Sequence, residues 1–292
     1  MNINDVFRAA LWMCGALVSF MAMALGGREL SSELSTFQVL FFRSLIGLVI
    51  VATLARVHGV NPFKSLRLGL HIARNIAHFA GQFGWFFAIA TIPLAEVFAM
   101  EFTIPIWAAL LSALFLGERL TARRLLALGL GLTGVLLIVN PGSGLLHPAA
   151  FAALGAAIAY AASYVLTKRL TLTETPLIIL FYMTIVQLPL GLFGAIPNWH
   201  SVHVAQLPWL LVVGITALTA HYCIARAFAL ADVSVVLPMD FLRLPLAALL
   251  GYALYGESIG ALTVIGGLLI IGANAATLLP ARTINPALKY VY

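Results

Sequence analysis

Five polar residues in one apolar stretch, His71, Arg74, Asn75, His78 and Gln82, follow three- and four-residue steps, so a helix carries all of them on one face. Within a bilayer such groups are costly and face a cavity or a partner, so this face is expected to be wet. His71 and Arg74 lie near the cytoplasmic end and are expected to snorkel to the surface. His78 and Gln82 lie deeper, where they either line a cavity or make an interhelical hydrogen bond. His78 is also a proton-coupling candidate, because imidazole ordinarily titrates near neutral pH. Tyr160, Ser163, Tyr164 and Thr167 form a second face whose rings and hydroxyls suit a planar or aromatic ligand, or else belong to an interfacial belt. Trp85, with Trp12, Phe20 and Trp107, adds aromatic candidates for which packing or lipid contact is the alternative.

Arg43 and Glu101 each lie about seven residues inside the same end of their apolar runs, or roughly 10 Å deep. They are expected to meet as an ion pair. Asp240, with Arg243 three residues on and Arg226 near the end of the preceding run, is expected to form a second cluster in the opposite half of the membrane. Two readings stand: the clusters alternate as gates on either side of a central cavity, or they are permanent pairs that hold helices together. Glu96 and Glu101 join His78 as proton-binding candidates. Pro105, Pro238 and Pro245 remove backbone donors at membrane depth and can kink or break their helices.

The elements that carry these groups follow from composition. Of 292 residues, 62% are hydrophobic and 9% charged, against roughly 45–50% apolar and about 25% charged in soluble domains. Runs broken by charge, proline, glycine or polar clusters give ten candidate spans, near 9–27, 36–55, 69–90, 94–116, 124–140, 149–167, 175–196, 207–230, 233–255 and 261–279. The first run is long and lacks a small-residue cleavage site, so it is expected to be retained. Met100-Glu101-Phe102 recurs as Met239-Asp240-Phe241, and Gly117-Glu118 as Gly256-Glu257, at a constant offset of 139 residues. From Phe86 to Glu118, 11 of 33 positions equal their partners from Ala225 to Glu257. The chain is a doubled unit, expected to divide at 1–140 and 141–292. Five spans per half is an odd number, so the second copy enters the membrane upside down. Internal repeats of this kind point to a transporter with its site between the halves.

Loop charge sets the expected orientation, because basic loops stay cytoplasmic. Arg8, Arg56, Lys64, Arg67, Arg119, Arg123, Arg124, Lys168, Arg169, Arg282 and Lys289 fall on one side if both termini are inside. Loops 141–148, 197–206 and 256–260 carry no Lys or Arg, and Arg28 is the exception. The net charge of +6 is thus spent on topology and on anionic lipid, with no reason to invoke nucleic acid. Cys14 and Cys223 read as small packing residues. Gly129-Leu130-Gly131-Leu132-Thr133-Gly134 matches a dinucleotide-binding pattern, but it lies in an apolar span with no preceding strand and is expected to pack helices. No nucleophile elbow, phosphate loop or clustered metal ligands are seen, so no enzyme, cofactor or metal site is expected.

Phe41-Phe42-Arg43, Phe115-Leu116-Gly117-Glu118-Arg119, Ala225-Arg226-Ala227-Phe228-Ala229-Leu230 and Leu237-Pro238-Met239-Asp240-Phe241-Leu242-Arg243-Leu244-Pro245, followed by Gly256-Glu257, resemble the EamA-type branch of the drug/metabolite transporter superfamily. The resemblance covers essentially the whole chain. It implies an all-α polytopic membrane protein of ten transmembrane helices, built as two inverted five-helix repeats, in a bacterial-type inner membrane. It further implies a secondary active carrier of a small organic metabolite, an amino acid or a vitamin-like compound such as S-adenosylmethionine or riboflavin, coupled to a proton or an exchanged metabolite. The alternatives are an exporter of aromatic amino acids or of toxic cationic and aromatic compounds, and, in another class, a lipid flippase or a structural membrane protein.

Overall fold

The computed structural model describes residues 3–116, 122–139, 147–170, 173–230 and 242–278. Among them the chain is helical, with no strand: α1 (Ile3–Leu30), α2 (Thr36–Val57), α3 (Leu68–Ile89), α4 (Leu94–Glu101), α5 (Ile104–Leu116), α6 (Ala122–Val139), α7 (Pro148–Leu170), α8 (Pro176–Ala195), α9 (Leu207–Leu230), α10 (Arg243–Tyr255) and α11 (Ala261–Leu278). A helix satisfies its backbone N–H and C=O groups internally, as a chain in lipid requires. Five segments are long and apolar enough to cross a bilayer: Phe7–Leu30, Thr36–Val57, Pro148–Thr167, Pro176–Asn198 and Val204–Ile224. Asp240, Pro238, Glu118 and Arg119 lie outside the described residues.

The expected span 94–116 is not one helix but two, α4 and α5, separated at Phe102-Thr103. Pro105, in the first turn of α5, has no N–H to offer the carbonyl of Glu101. The Thr103 hydroxyl donates to the Met100 carbonyl at 2.6 Å, and Trp107 Nε1–H donates to Thr103 Oγ1 at 3.0 Å. The break releases Glu101 at the end of α4, a residue only 9% exposed in the protein interior.

Four helix pairs dominate the packing: α1 with α9, α3 with α7, α2 with α8 and α6 with α11. Each joins a helix of the first half of the chain to one of the second. Lipid is as apolar as a leucine side chain, so such pairs are held by close packing and hydrogen bonds. A Cβ on Gly134 of α6 would come 2.6 Å from the Gly266 carbonyl oxygen of α11, and one on Gly266 would come 2.5 Å from that of Gly134. The glycine pattern at 129–134 therefore works where Gly134 lies, by backbone contact; around Gly129 there is open space.

Helix ends are fixed by local chemistry. Ser35 and Gln38 form a capping box at the start of α2, and Gln38 Nε2 also donates to the His200 carbonyl at 2.8 Å, tying α2 to the α8–α9 connection. At the end of α10, Gly256 takes a left-handed φ of +64°, a conformation for which glycine is preferred. Its N–H bonds the Tyr252 carbonyl and the N–H of Glu257 bonds that of Gly251, both at 3.1 Å. The Gly-Glu dipeptide thus ends the helix and turns Glu257 back into the protein.

Candidate functional site

The polar stripe of α3 faces inward along its whole length: His71, Arg74, Asn75, His78 and Gln82 are all buried. His71 and Arg74 do not snorkel, because partners from α7, α8 and the turn between them meet them inside. His71 stacks on Tyr182 of α8 at 4.2 Å and lies 3.9 Å from the Glu174 carboxylate. Glu174 accepts a hydrogen bond from Ser65 at 2.5 Å. Arg74 donates from Nε to Thr167 of α7 at 3.1 Å and from Nη1 to Asn75 at 2.7 Å, both neutral acceptors.

One turn deeper, His78 Nδ1 lies 3.0 Å from the side-chain nitrogens of both Gln82 and Gln187. The Gln187 amide nitrogen also approaches the Asn75 carbonyl at 3.5 Å, an acceptor that only an N–H can satisfy. Both amides therefore donate to Nδ1, which leaves the imidazole proton on Nε2. The Nε2 edge is available to a small cavity shared by six helices. Phe20 and Met23 (α1), Arg43 (α2), His78, Gln82 and Trp85 (α3), Glu101 (α4), Tyr160 and Tyr164 (α7) and His221 (α9) all reach it. Its open space is about 30 Å³, enough for a water or two and far below the roughly 300 Å³ that bound small molecules need. A wider hollow of about 600 Å³ at the far end of α2, by Arg56, Asn61 and Phe63, is open to the surface and lies apart from the α3 stripe.

The charged groups pair differently from the order that depth suggests. Glu101 is engaged by Arg243 of α10, whose Nη1 donates at 2.9 Å, and by Trp85 Nε1–H, also at 2.9 Å. The Arg243 guanidinium lies 4.5 Å above the ring of Phe20 and 5.4 Å from that of Phe102. Arg43 does not meet Glu101. It is buried on the cavity wall and makes no ion pair or side-chain hydrogen bond among the described residues. The expected separation of Arg243 from Glu101 into clusters at different depths does not hold: the pair bridges the two halves of the chain. Arg226 is exposed and lies 5.5 Å over Trp12.

Tyr160 packs edge-on against His78 at 5.4 Å, and Ser163 is buried one turn on; Tyr164 is about half exposed yet still reaches the cavity. Glu96 is half-buried in the first turn of α4, close to Glu257. At that end Glu257 accepts from Arg28 and, at 2.9 Å, from the Leu94 N–H that opens α4. Arg28 lies 4.4 Å over Tyr255, whose hydroxyl donates to Glu29 at 2.8 Å. Arg28, the one basic residue that breaks the loop-charge pattern, is thus neutralised in place. Two polar clusters, Arg28–Glu257–Leu94 and Ser65–Glu174–His71, stand at opposite ends of α3 with the cavity between them. Sequence reading missed Gln187, His221 and Glu174. The first two stand in long apolar runs, and the rule that intramembrane polar groups seek partners would have flagged them.

Comparison with known proteins supplies the family. The model of the EamA-like transporter family matches the chain twice, over residues 7–140 and 147–279. An S-adenosylmethionine uptake transporter of Rickettsia felis is 26% identical over 276 residues, covering 93% of this chain and 94% of the relative. A riboflavin transporter of Brucella anthropi is 30% identical over 242 residues, 81% and 85% of the two chains. A pseudopaline exporter of Pseudomonas aeruginosa is 29% identical over 259 residues, 85% and 88%. A solved crystal structure superposes with a TM-score of 0.62 at 20% identity, covering 92% of this chain and 96% of the other, and so shares the fold.

Proposed function

The chain belongs to the EamA-like transporter family, a family of multi-pass membrane transporters, and on that footing we propose that it is a secondary active carrier. It moves a small organic metabolite across a bacterial inner membrane by alternating access, with ten spans in two inverted halves, 1–140 and 141–292, and both termini cytoplasmic. The observation that carries this reading is the closed polar cavity between the halves, lined by Arg43, His78, Gln82, Trp85, Tyr160 and His221.

The packing supports the twofold arrangement. Numbering the expected spans one to ten and exchanging n with n + 5 turns the contact of spans one and eight into that of six and three, and both are among the strongest. The contacts of spans two with seven, five with ten and four with nine map on to themselves. A cavity too small for its cargo, with polar clusters at both ends of α3, fits an occluded state from which either end can open. The Arg28–Glu257–Leu94 cluster is the outer latch and the Ser65–Glu174–His71 cluster the inner one. His78, held by two amides, serves the cargo as an Nε2–H donor. Glu96, half-buried and without an ion pair among the described residues, is the proton-binding site.

Counterflow in proteoliposomes tests the reading. Vesicles preloaded with unlabelled S-adenosylmethionine, riboflavin or an aromatic carboxylate are diluted into trace labelled compound. A carrier gives a transient overshoot of label for its own cargo. Flux without overshoot, or lipid scrambling in its place, refutes it.

A further inference from the structure

Among the described residues, the charges around the cavity do not balance. Arg43, Arg74 and Arg243 supply three guanidinium groups, and Glu101 is the one carboxylate on the cavity wall among the described residues. Glu101 is already bound by Arg243 and Trp85. Arg74 has neutral partners, and Arg43 has none among the described residues. A buried guanidinium without a counter-ion is strongly unfavourable and persists where something else supplies the negative charge. The planar fork of Arg43 matches a carboxylate in two parallel hydrogen bonds. Around it, Tyr160 and Trp85 offer aromatic surface, and His78 and Gln82 offer polar groups for a second part of the same molecule.

We infer that the cargo carries a carboxylate that pairs with Arg43 and a flat ring that packs against Tyr160 and Trp85, and that its overall charge is not positive. The inference rests on the carrier reading above and narrows it. A sulfonium or ammonium group finds no uncommitted carboxylate among the described residues of the cavity, so a net cation such as S-adenosylmethionine is refused.

Three matched probes isolate the charge: indole-3-acetate, indole-3-acetamide and tryptamine, added at millimolar concentration to the purified full chain and read by thermal shift and by inhibition of counterflow. The carboxylate raises the melting temperature by several degrees, and the amide and amine do not. Arg43→Gln weakens the carboxylate response at least about thirtyfold, as expected when one partner of a buried charge pair is removed, and Arg43→Lys restores part of it. A ligand-free measurement guards the result: Arg43→Gln without ligand melts at or above the wild type, because an uncompensated charge has been removed, whereas Arg243→Gln melts below it. Equal shifts from amide or amine, no shift from the carboxylate, or Arg43→Gln melting as low as Arg243→Gln each overturn the inference. Counterflow of a neutral or cationic compound would leave the carrier reading standing and remove only the charge class.

Discussion

Removing both members of the Glu101–Arg243 pair should cost less than the sum of removing each alone. Charge centres about 4 Å apart attract by about 4 kcal/mol at an effective dielectric of 20, and stripping one partner from a buried pair costs about 3–5 kcal/mol. Arg243→Gln leaves Glu101 with the Trp85 N–H and no cation, so it should fall in that range. Glu101→Gln keeps an acceptor for Trp85 and leaves Arg243 over the ring of Phe20, a contact worth about 1–2 kcal/mol when desolvated, so its cost should be smaller by that much. The double variant Glu101→Gln/Arg243→Gln strands no charge and should fall short of the sum of the singles by at least about 2 kcal/mol. Melting in detergent reads this order. At about 2–4 °C per kcal/mol, Arg243→Gln should melt roughly 6–20 °C below wild type, with Glu101→Gln between and the double variant recovering toward Glu101→Gln. Strict additivity would refute the account, since it would mean that the 2.9 Å contact couples nothing. Transport measured on the same proteins separates a brace from a gate: a permanent brace lets the double variant cycle, and a gate does not.

Gly134→Leu should abolish folded expression, because its Cβ alone meets the Gly266 carbonyl at 2.6 Å, while Gly129→Ala, in open space, should change the melting temperature by no more than about 2 °C; equal effects would rule out the α6–α11 backbone contact. Glu257→Gln should cost about 1–2 kcal/mol and open the outer latch, read as faster labelling of Ser31→Cys by a membrane-impermeant maleimide; unchanged labelling would remove Glu257 from the latch. Gln187→Leu takes away one of the two amides that fix the His78 tautomer, and it should weaken the thermal response to cargo about tenfold with melting changed little; an unchanged response would mean that Gln82 suffices.

The helical character, the doubling and the α3 stripe were legible because each depends on composition or spacing along the sequence. Three- and four-residue steps put His71 through Gln82 on one face whatever packs against it. The pairing of charges was not legible in the same way. Depth can be counted along a helix, but which way Arg43 points around α2, relative to Arg243 on α10, depends on how the helices pack. Counting put Arg43 beside Glu101, while the geometry gives Glu101 to Arg243 and leaves Arg43 on the cavity. The break at Phe102-Thr103 had a signal in Pro105, though the two hydrogen bonds that stabilise it, from Thr103 and Trp107, come from side chains with no distinctive spacing. Gln187 and His221 were hidden for a related reason: neither has a charged or amide neighbour three or four residues away to reveal its face.

Because α1, α2, α3 and α6 each find their main partner in the second half, synthesis has an order problem. When only the first 140 residues have been made, α3 is complete, and the α7 and α8 residues that meet Arg74 and His78 do not yet exist. Thr167, Glu174 and Gln187, which later bind that face, are still to be translated. Until they are, that polar face needs another source of hydrogen bonds, because unpaired polar groups in hydrocarbon are costly. Variants that slow the arrival of α7 should be degraded during biogenesis even where the finished protein would be stable.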